Sequence, residues 1–374
     1  MRRIALITLT FERARFLAAL VGITFATTLA LVQMGLYMGF LENASAIIQH
    51  IGGDAWVMAR GTMVAEYGEP LSAGTRAFVE SQPCVREVRG VVVTYVPVRK
   101  ETGTLDLSTL VGYEPPDGSA VPWELVRGLP QALDAPLRVA IDDGDIAHYG
   151  IQGDPLRASL EVSGQTVYVS GLSHGIRPFS LTPYVLTSFS NAQRLVGLQQ
   201  DQTYYWVVDL ENPGCTASFM QRIEAHPELQ ARTMEGFTRI TQDYWVGRAG
   251  AGIALAFNAL LGVLVGIVIV GQTLYSLVKD HVRELATLKA VGASSRELVG
   301  FVAWQTLLLG VLGGSAGTAL SLLVRELTSG LGLRVVLSPG VLVLGLGAMV
   351  LMCVIASLTS VRTLLRLDAT EVFK

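Results

Sequence analysis

One short motif in the sequence has the form of a nucleophilic active site. Gly171-Leu172-Ser173-His174-Gly175 matches the pattern G-x-S-x-G, in which a serine hydroxyl attacks a carbonyl carbon. The motif requires a strand before the serine and a helix after it. Residues 165–170 fit a strand, but Pro178 and Pro183 follow, and proline disrupts a helix interior. The sequence therefore favours a turn here over a membrane-tethered hydrolase.

Two other sets of side chains could bind a metal ion. Asp142, Asp143 and Asp145 resemble the start of a calcium loop, but the EF-hand pattern also needs a glutamate at its twelfth position, where Gly153-Asp154 stands. We expect these aspartates to cap a helix or to form a polar turn. The histidines lack the H-x-x-x-H spacing of metal ligands: His50, His148, His174 and His226. The sequence thus predicts no metal, cofactor or catalytic site.

A phosphate-binding loop is also missing from the sequence. Such a loop has a lysine between a glycine and a serine or threonine. The four lysines of this chain all have other neighbours: Lys100, Lys279, Lys289 and Lys374. Any ATP hydrolysis that drives this protein, with its Mg²⁺, must therefore take place in another chain.

A densely charged segment, residues 278–298, separates two apolar runs. Its apolar residues recur at helical spacing and its charged residues mostly lie off that stripe. Gly292 is placed to end a helix in the left-handed conformation, and Ser294 with Glu297 matches a capping box for the next helix. The pattern predicts a helical extension, a tight turn and a new helix. The alternative is a plain solvated loop.

Four apolar runs are long enough to cross a membrane, which takes about 20 residues. The chain is 51% hydrophobic with a mean hydropathy of +0.46, and no run has a charged residue in its central part. We predict a membrane protein with four transmembrane α-helices and a large extracytoplasmic α/β domain between helices 1 and 2. The predicted spans are residues 16–40, 250–278, 298–324 and 340–361.

The first apolar run has an alternative interpretation as a signal peptide, because Ala44-Ser45-Ala46 resembles a cleavage site. A signal h-region has only about 7–15 residues, and this run is longer. We therefore favour an uncleaved helix.

Basic residues predict the orientation of the chain. Positive flanks stay in the cytoplasm, and arginines or lysines are concentrated in the N-terminal segment (1–15), the loop 279–297 and the tail 362–374. We expect both termini and the loop to be cytoplasmic, and residues 41–249 to be periplasmic. The chain is predicted to be a multi-pass protein of the bacterial inner membrane.

The outer stretch differs from the rest in composition. Between Glu42 and Arg248 there are 24 acidic and 15 basic residues, a net charge of −9 within a chain total of −3. An acidic exported domain argues against nucleic-acid binding.

Strands and helices are both predicted in the outer stretch. A helix ending in Gln82-Pro83 precedes a strand, and a helix ending in His226-Pro227 precedes another, which suggests two related α/β subdomains. The predicted strands are 91–98, 137–141, 204–210 and 229–233, and the predicted helices are 71–80, 190–198 and 215–225.

Two cysteines share the oxidising side of the membrane. Cys84 and Cys215 could form a disulfide there, while Cys353 lies in a membrane run. Of the two alternatives, separate buried thiols are favoured over a bond.

Pairs of glycines four residues apart occur in three predicted spans. Small residues at this spacing allow close helix–helix contact. The pairs are Gly35 with Gly39, Gly262 with Gly266, and Gly313 with Gly317. Together they favour a tightly packed bundle over ordinary tolerance of glycine in membrane helices.

The charged segment resembles a known family. Residues 283–293, R-E-L-A-T-L-K-A-V-G-A, are similar to the R-E-x-A-x-L-K-A-x-G-A signature of FtsX-like ABC transporter permeases. The layout of one span, an outer domain and three further spans is similar as well. Within that family the chain most resembles the permease of the heterocyst glycolipid exporter, through motifs at 53–57, 61–62, 111–115, 140–142 and 153–154 and a tail at 367–373.

The resemblance implies a function for the segment. In such families it is a coupling surface that docks on a cytoplasmic ABC ATPase subunit. The residues that would do this are Arg283, Glu284, Leu285, Leu288, Lys289, Gly292 and Ala293.

The resemblance also implies a mode of action. The chain would be the permease of a type VII exporter, working as a homodimer. It would move its periplasmic domain to export a membrane lipid or glycolipid, with a periplasmic adaptor and an outer-membrane channel as further partners. The alternative is a non-transporting FtsX-like regulator that activates a periplasmic cell-wall hydrolase.

Overall fold

The chain folds as two compact units, and each is built from one kind of architecture. The computed structural model describes residues 13–100, 102–115, 123–175, 182–248, 250–280, 294–329, 335–349 and 351. The outer unit comprises Leu41–Gly250, and the helical unit comprises the segments before and after it.

The outer unit contains a mixed sheet of ten strands with helices on its faces. The strands are β1 (Ala55–Ala59), β2 (Val85–Arg99), β3 (Leu105–Tyr113), β4 (Leu125–Gly128), β5 (Arg138–Asp142), β6 (Ser159–Val162), β7 (Gln165–Ser173), β8 (Tyr184–Ser188), β9 (Tyr205–Leu210) and β10 (Leu229–Thr233). The α-helices are α2 (Ala46–Ile51), α3 (Thr75–Glu80), α4 (Ile146–Tyr149), α5 (Phe189–Val196), α6 (Thr216–Glu224) and α7 (Met234–Asp243).

The sheet runs in the order β10-β1-β9-β2-β3-β8-β5-β7-β4, and β6 bridges β2 and β7. Most neighbours are antiparallel, while β3 with β8 and β5 with β7 are parallel. β2 is the longest strand. Its consecutive valines from Val91 to Val93 are all buried, so both faces of the sheet are covered at this point.

The strands predicted from the sequence are confirmed, and one helix starts later than predicted. Residues 71–80 were expected to be helical throughout, but α3 begins at Thr75. Gly74 has φ = 82°, outside the helical region, and the Leu71 N–H donates to the Thr203 carbonyl oxygen instead. The first residues of this segment therefore bond to the loop that precedes β9 rather than continue the helix.

The two helix–Pro–strand units do not form separate subdomains, so that prediction is wrong. Val79 of α3 and Phe219 and Ile223 of α6 belong to one buried cluster, which also contains Val88 of β2 and Leu229 of β10. Both strands lie in the same sheet, on either side of β1 and β9. The two helix–Pro–strand motifs share a single core within the outer unit.

Cys84 and Cys215 form a disulfide, so the preference for separate thiols is corrected. The bond ties the start of β2 to the start of α6 across a sequence separation of 131 residues. Closing a loop of this length stabilises a folded domain by about 2–5 kcal/mol in the chain-entropy view. The pairing is consistent with an oxidising environment for the outer unit.

The helical unit contains long apolar helices. Its described helices are α1 (Arg13–Ala44, which continues into the outer unit), α8 (Ala251–Asp280), α9 (Ser295–Ser329) and α10 (Pro339–Met349). Within the described residues, three candidate spans are found, at Phe16–Ala44, Gly252–Gln272 and Ala303–Thr328. α10 is too short to count as a span, and most of the predicted fourth span beyond it lies outside the described residues. Four spans therefore stay a prediction.

Candidate functional site

The charged segment begins in the last described residues of α8 and ends in the first turn of α9. α8 continues to Asp280, and α9 starts at Ser295. The seven residues predicted to couple to an ATPase fall between these ends and lie outside the described residues: Arg283, Glu284, Leu285, Leu288, Lys289, Gly292 and Ala293. Their predicted coupling role therefore stays a prediction.

The predicted capping box at the start of α9 is confirmed. The Ser294 N–H donates to Glu297 Oε2 at 2.9 Å, and the Glu297 N–H donates to Ser294 Oγ at 3.3 Å. The hydrogen bond from the Ser294 N–H, together with one from its hydroxyl, lowers the pKa of Glu297. The reciprocal bonds satisfy exposed donors of the first turn, so α9 has a fixed first residue directly after the charged segment.

Glycines of α8 and α9 lie against α1. A Cβ added at Gly313 would stand 2.6 Å from Ile23 Cγ2, and one at Gly317 would stand 2.8 Å from the Thr24 carbonyl oxygen. In addition, the Thr28 hydroxyl donates to the Gly317 carbonyl oxygen at 3.2 Å. The absence of side chains at the two glycines allows the backbones of α1 and α9 to approach closely.

The glycines of α8 are packed less tightly. A Cβ added at Gly262 would stand 3.3 Å from Cγ of Gln33 on α1, and Gly266 is buried. Gly35 of α1 itself faces the segment before α10, where an added Cβ would lie 2.7 Å from Val335 Cγ1. α1 is therefore in contact with α8, with α9 and with the segment before α10.

Two short helices connect the sheet to the spans. α2 follows α1 in the chain. α7 is followed by the π-helical turn Tyr244–Arg248 and then by α8. The side chain of Gln242 on α7 donates to the Leu41 carbonyl oxygen and to Ser45 Oγ, both at 3.1 Å. The two connectors are thus held together where the chain leaves one span and approaches the next.

The connectors also belong to the core of the outer unit. Ile47, Ile48 and Ile51 of α2 and Phe237 of α7 are packed in one buried cluster with residues of β1, β2, β3, β8 and β9. The Phe237 ring lies 5.5 Å from that of Trp56, measured between centroids. Both connectors are therefore embedded in the same core as the strands.

A buried carboxyl group lies in the same region and was missed by the sequence reasoning. Glu66 is half-buried as a residue, but its Oε2 is enclosed and has no hydrogen-bond partner among the described residues. Burial raises its pKa to about 7. Its charge in turn contributes to raising the pKa of Tyr184 and Tyr205, after burial. A single glutamate in a polar stretch gave no signal of this environment.

We predict that Glu66 makes the outer unit less stable at alkaline pH. The folded-state pKa lies above the ordinary value of 4.5, so folding retains a proton that the unfolded chain releases. The contribution of Glu66 to the free energy of unfolding is fully present below pH 4.5. It falls by about 3 kcal/mol as the pH rises to about 7. Urea unfolding of the full chain in detergent, followed by fluorescence of buried Trp56 and Trp206, measures it.

The matched control for this prediction is Glu69→Gln, because Glu69 is exposed. Glu66→Gln should flatten the pH dependence of the unfolding midpoint between pH 5 and 8, whereas Glu69→Gln should leave it unchanged. Equal pH dependence in wild type and Glu66→Gln would show that Glu66 is not a titrating buried group.

The G-x-S-x-G motif does not form a nucleophile elbow in the described structure. Ser173 is the last residue of β7, is fully buried, and its hydroxyl donates to the Ile141 carbonyl oxygen at 3.4 Å. The motif is thus mostly strand rather than turn. His174 pairs instead with Asp143 at 2.9 Å and is exposed. A serine nucleophile must be accessible to its substrate, which this one is not.

Of the three aspartates, Asp142 caps a helical turn, as the sequence predicts for this group. Asp142 Oδ1 accepts the Gly144 N–H at 3.0 Å. Among the described residues, no group of three or more His, Cys, Asp and Glu side chains is arranged to hold a metal ion.

The motif residues of the outer unit have structural roles. Asp54 Oδ2 accepts the Leu210 N–H, and Glu114 Oε2 accepts the Gly90 N–H, each at 2.8 Å. Gly53 has φ = 87° and lies directly against Val207. These contacts join β1, β2, β3 and β9, so these motif residues stabilise the sheet.

Comparison with protein families gives two matches that together span most of the chain. Residues 16–226 match the MacB-like periplasmic core domain, and residues 256–369 match the FtsX-like permease C-terminal domain. The first match covers the outer unit up to α6, and the second covers the helices after it together with the charged segment.

Relatives over nearly the full length are found as well. The chain is 23% identical over 332 residues to uncharacterized ABC transporter permeases of Mycobacterium bovis and Mycobacterium tuberculosis, covering 85% of this chain and 84% of each relative. Among solved structures, the periplasmic region of MacB from Actinobacillus actinomycetemcomitans matches with a TM-score of 0.38 and 11% identity, over 51% of this chain and 94% of that one.

Proposed function

This chain belongs to the ABC transporter permeases of the FtsX and MacB type, and we propose that it couples ATP hydrolysis in a separate subunit to movement of its outer unit. ATP binding and hydrolysis would displace the cytoplasmic ends of the helices. The helices would transmit that displacement to the outer unit, which would drive an amphipathic cargo outward. The chain itself would be the non-enzymatic subunit of the complex, and ATP and Mg²⁺ would bind to the partner.

The observation that supports this mechanism best is the pair of connectors, α2 and α7. Gln242 of α7 donates to Leu41 at the end of α1 and to Ser45 directly before α2. Both connectors are embedded in the core of the outer unit through Ile48 and Phe237. Helices that carried no motion could be joined to the sheet by flexible linkers. Two packed connectors are what a mechanical transmission requires.

On the cytoplasmic side, the proposed input is the docking segment at residues 278–293. Its residues Arg283, Glu284 and Lys289 would contact the ATPase, and the turn at Gly292 would set the angle between the docking helix and α9. The capping box of Ser294 and Glu297 supports this role, because it makes α9 start rigidly where the segment ends.

The function is tested by ATP turnover with and without a partner. The purified chain in detergent is expected to show no hydrolysis above a protein-free blank, because its sequence has no phosphate-binding loop. Turnover should appear when the cognate ABC ATPase is added and should exceed that of the ATPase alone. Robust hydrolysis by this chain alone would contradict the two-subunit mechanism.

We predict that the outer unit is periplasmic and that the charged segment is cytoplasmic. In a Cys353→Ala background that keeps the Cys84–Cys215 disulfide, Ser119→Cys should react with a membrane-impermeant thiol reagent in intact spheroplasts. Ser295→Cys should react only after permeabilisation. Labelling is measured by mass shift, and the reverse pattern would overturn the orientation and the inner-membrane assignment.

The proposed assembly is a homodimer, since one chain supplies half of a transporter-sized set of helices. The cargo class that we propose is a lipid or glycolipid, as in the heterocyst glycolipid exporter that the motifs resemble, with an adaptor and an outer-membrane channel as further partners. If the complex hydrolyses ATP but a cell lacking it shows a defect in cell-wall cleavage and no change in its lipids, the regulatory alternative is correct.

A further inference from the structure

The tip of the hairpin formed by β2 and β3 carries two exposed leucines beside its polar turn at residues 100–104. Leu105 is 63% exposed and Leu107 is 51% exposed, at the beginning of β3. Two large apolar side chains at neighbouring same-face positions of a strand form a patch rather than isolated surface residues. The outer unit has a net charge of −9 between Glu42 and Arg248, so an exposed apolar pair calls for a physical explanation.

The tip continues the inner face of the sheet, which is the face covered by α2 and α7. Leu107 is paired with Pro97, and Leu105 with Arg99, while Tyr95 opposite Thr109 precedes them along β2. Residues two apart share a face, so this row extends the face on which Val91 and Val93 are buried beneath α2 and α7. The leucines are exposed because β2 and β3 extend beyond the two helices that cover the rest of this face.

The uncovered end of the hairpin is the end at which the chain connects to its spans. Tyr95 is in ring contact with Tyr67 at 5.7 Å, and Tyr67 contacts Tyr244 at 6.2 Å and Trp245 at 6.3 Å. Trp245 lies in the turn that directly precedes α8. The row of aromatic rings therefore places the entry to that span level with Tyr95.

Residues next to the first span lie at the same end. Gln242, two residues before Tyr244, is bonded to Leu41 and Ser45 at the end of α1. From Tyr95 the strand runs four further residues to Arg99, which is roughly 13 Å. The leucines thus lie beyond Tyr95 along the hairpin, at the end of the outer unit where the chain continues toward both spans.

The charges at the tip are mostly compensated within the hairpin and its neighbours. Lys100 pairs with Asp106 at 2.9 Å, and Arg99 pairs with Glu161 at 3.2 Å. Paired charges reduce the electrostatic cost of approaching an apolar phase. Tyrosine and tryptophan beside exposed leucines are the composition of a membrane–water interface.

We propose that the β2–β3 tip inserts into the headgroup region of the outer leaflet of the membrane, with Leu105 and Leu107 as apolar anchors. Tyr67, Tyr244 and Trp245 form the aromatic rim of this contact. The outer unit then has a third attachment to the bilayer besides its two span connectors, and lipid of the outer leaflet lies against the inner face of its sheet.

Depth-dependent fluorescence quenching in the full chain tests this proposal. In the Cys353→Ala background, Leu105→Cys and Leu107→Cys are labelled separately with nitrobenzoxadiazole, and the protein is placed in phosphatidylcholine–phosphatidylglycerol nanodiscs. Lipids with a nitroxide near the headgroup should quench both labels at least twofold. Aqueous iodide should quench them less than half as well as it quenches the control.

The control is Ala217→Cys, an exposed position on α6 in the same unit. It lies beside Cys215, which is bonded to Cys84 at the opposite end of β2, roughly 45 Å from the tip along the strand. This label should be quenched by iodide and not by the nitroxide lipids. Retention of the Cys84–Cys215 bond shows that each variant is folded.

Two results would overturn the proposal. If iodide quenches the tip labels as well as it quenches the control, the tip is in water. If neither quencher reaches them, a protein surface such as a second copy of this chain covers the tip, and lipid is not its partner.

Discussion

Gly317→Ala is expected to destabilise the helical unit, although alanine is a better helix former than glycine. The added Cβ would stand 2.8 Å from the Thr24 carbonyl oxygen and 2.7 Å from Thr27 Cβ. Backbone cannot rotate away as a side chain can, so α1 and α9 must separate. Overpacking of this kind costs about 1–3 kcal/mol, which corresponds to a fall in melting temperature of roughly 3–10 °C.

The same helix provides the matched control. A Cβ added at Gly300 meets nothing within 4 Å among the described atoms, and alanine there should be neutral or stabilising by about 0.5–1 kcal/mol. Gly262→Ala should be intermediate, because its neighbour at 3.3 Å is the flexible side chain of Gln33. The measurement is the fraction of protein that stays monodisperse in detergent after heating. Equal losses for all three variants would contradict close contact between α1 and α9.

Reversing the charges of the proposed docking segment is expected to uncouple the permease from its ATPase. A single exposed ion pair contributes only about 0–1 kcal/mol. Arg283→Glu combined with Glu284→Arg, however, places like charges across the interface, where repulsion can cost several kcal/mol. We expect normal membrane insertion, at least tenfold less ATPase recovered on co-purification, and no stimulation of ATP turnover.

The same exchange at the other end of α9 is the control. Arg325 and Glu326 are adjacent and exposed, with 4.0 Å between Nε and Oε1, and Arg325→Glu with Glu326→Arg should leave ATPase binding unchanged. Gly292→Val should also impair coupling, because a β-branched residue in the left-handed conformation is strained by roughly 1–2 kcal/mol. If the Arg283–Glu284 reversal binds and stimulates the ATPase like wild type, the segment is only a connector.

Local patterns predicted local structure well in this chain. Alternating and continuous apolar runs predicted the strands at 91–98, 137–141 and 204–210, which lie within or almost within β2, β5 and β9. The S-x-x-E pattern from Ser294 to Glu297 predicted the capping box, because both partners of that motif lie within one helical turn. The family signature of residues 283–293 and the family matches agree on an FtsX-like permease.

The features that sequence reasoning missed all depend on contacts between distant residues. Cys84 and Cys215 are paired because the sheet brings the start of β2 beside the end of β9, and no spacing in the sequence reports that approach. The raised pKa of Glu66 results from burial, and its charge acts on Tyr184 and Tyr205, which are remote in the chain. The expected pair of subdomains failed for the same reason, since one shared core joins both repeats.

The central claim, that residues 278–293 dock on a separate ATPase, is tested most directly by site-specific photo-crosslinking in intact cells. The photoreactive amino acid p-benzoylphenylalanine is placed at position 289 in place of Lys289, and in a control chain at position 72 in place of the exposed Ser72 of the outer unit. Irradiation is predicted to join position 289, and not position 72, to an ABC ATPase subunit identified by mass spectrometry. Absence of that product from position 289, while the ATPase still co-purifies with the chain, would contradict the account.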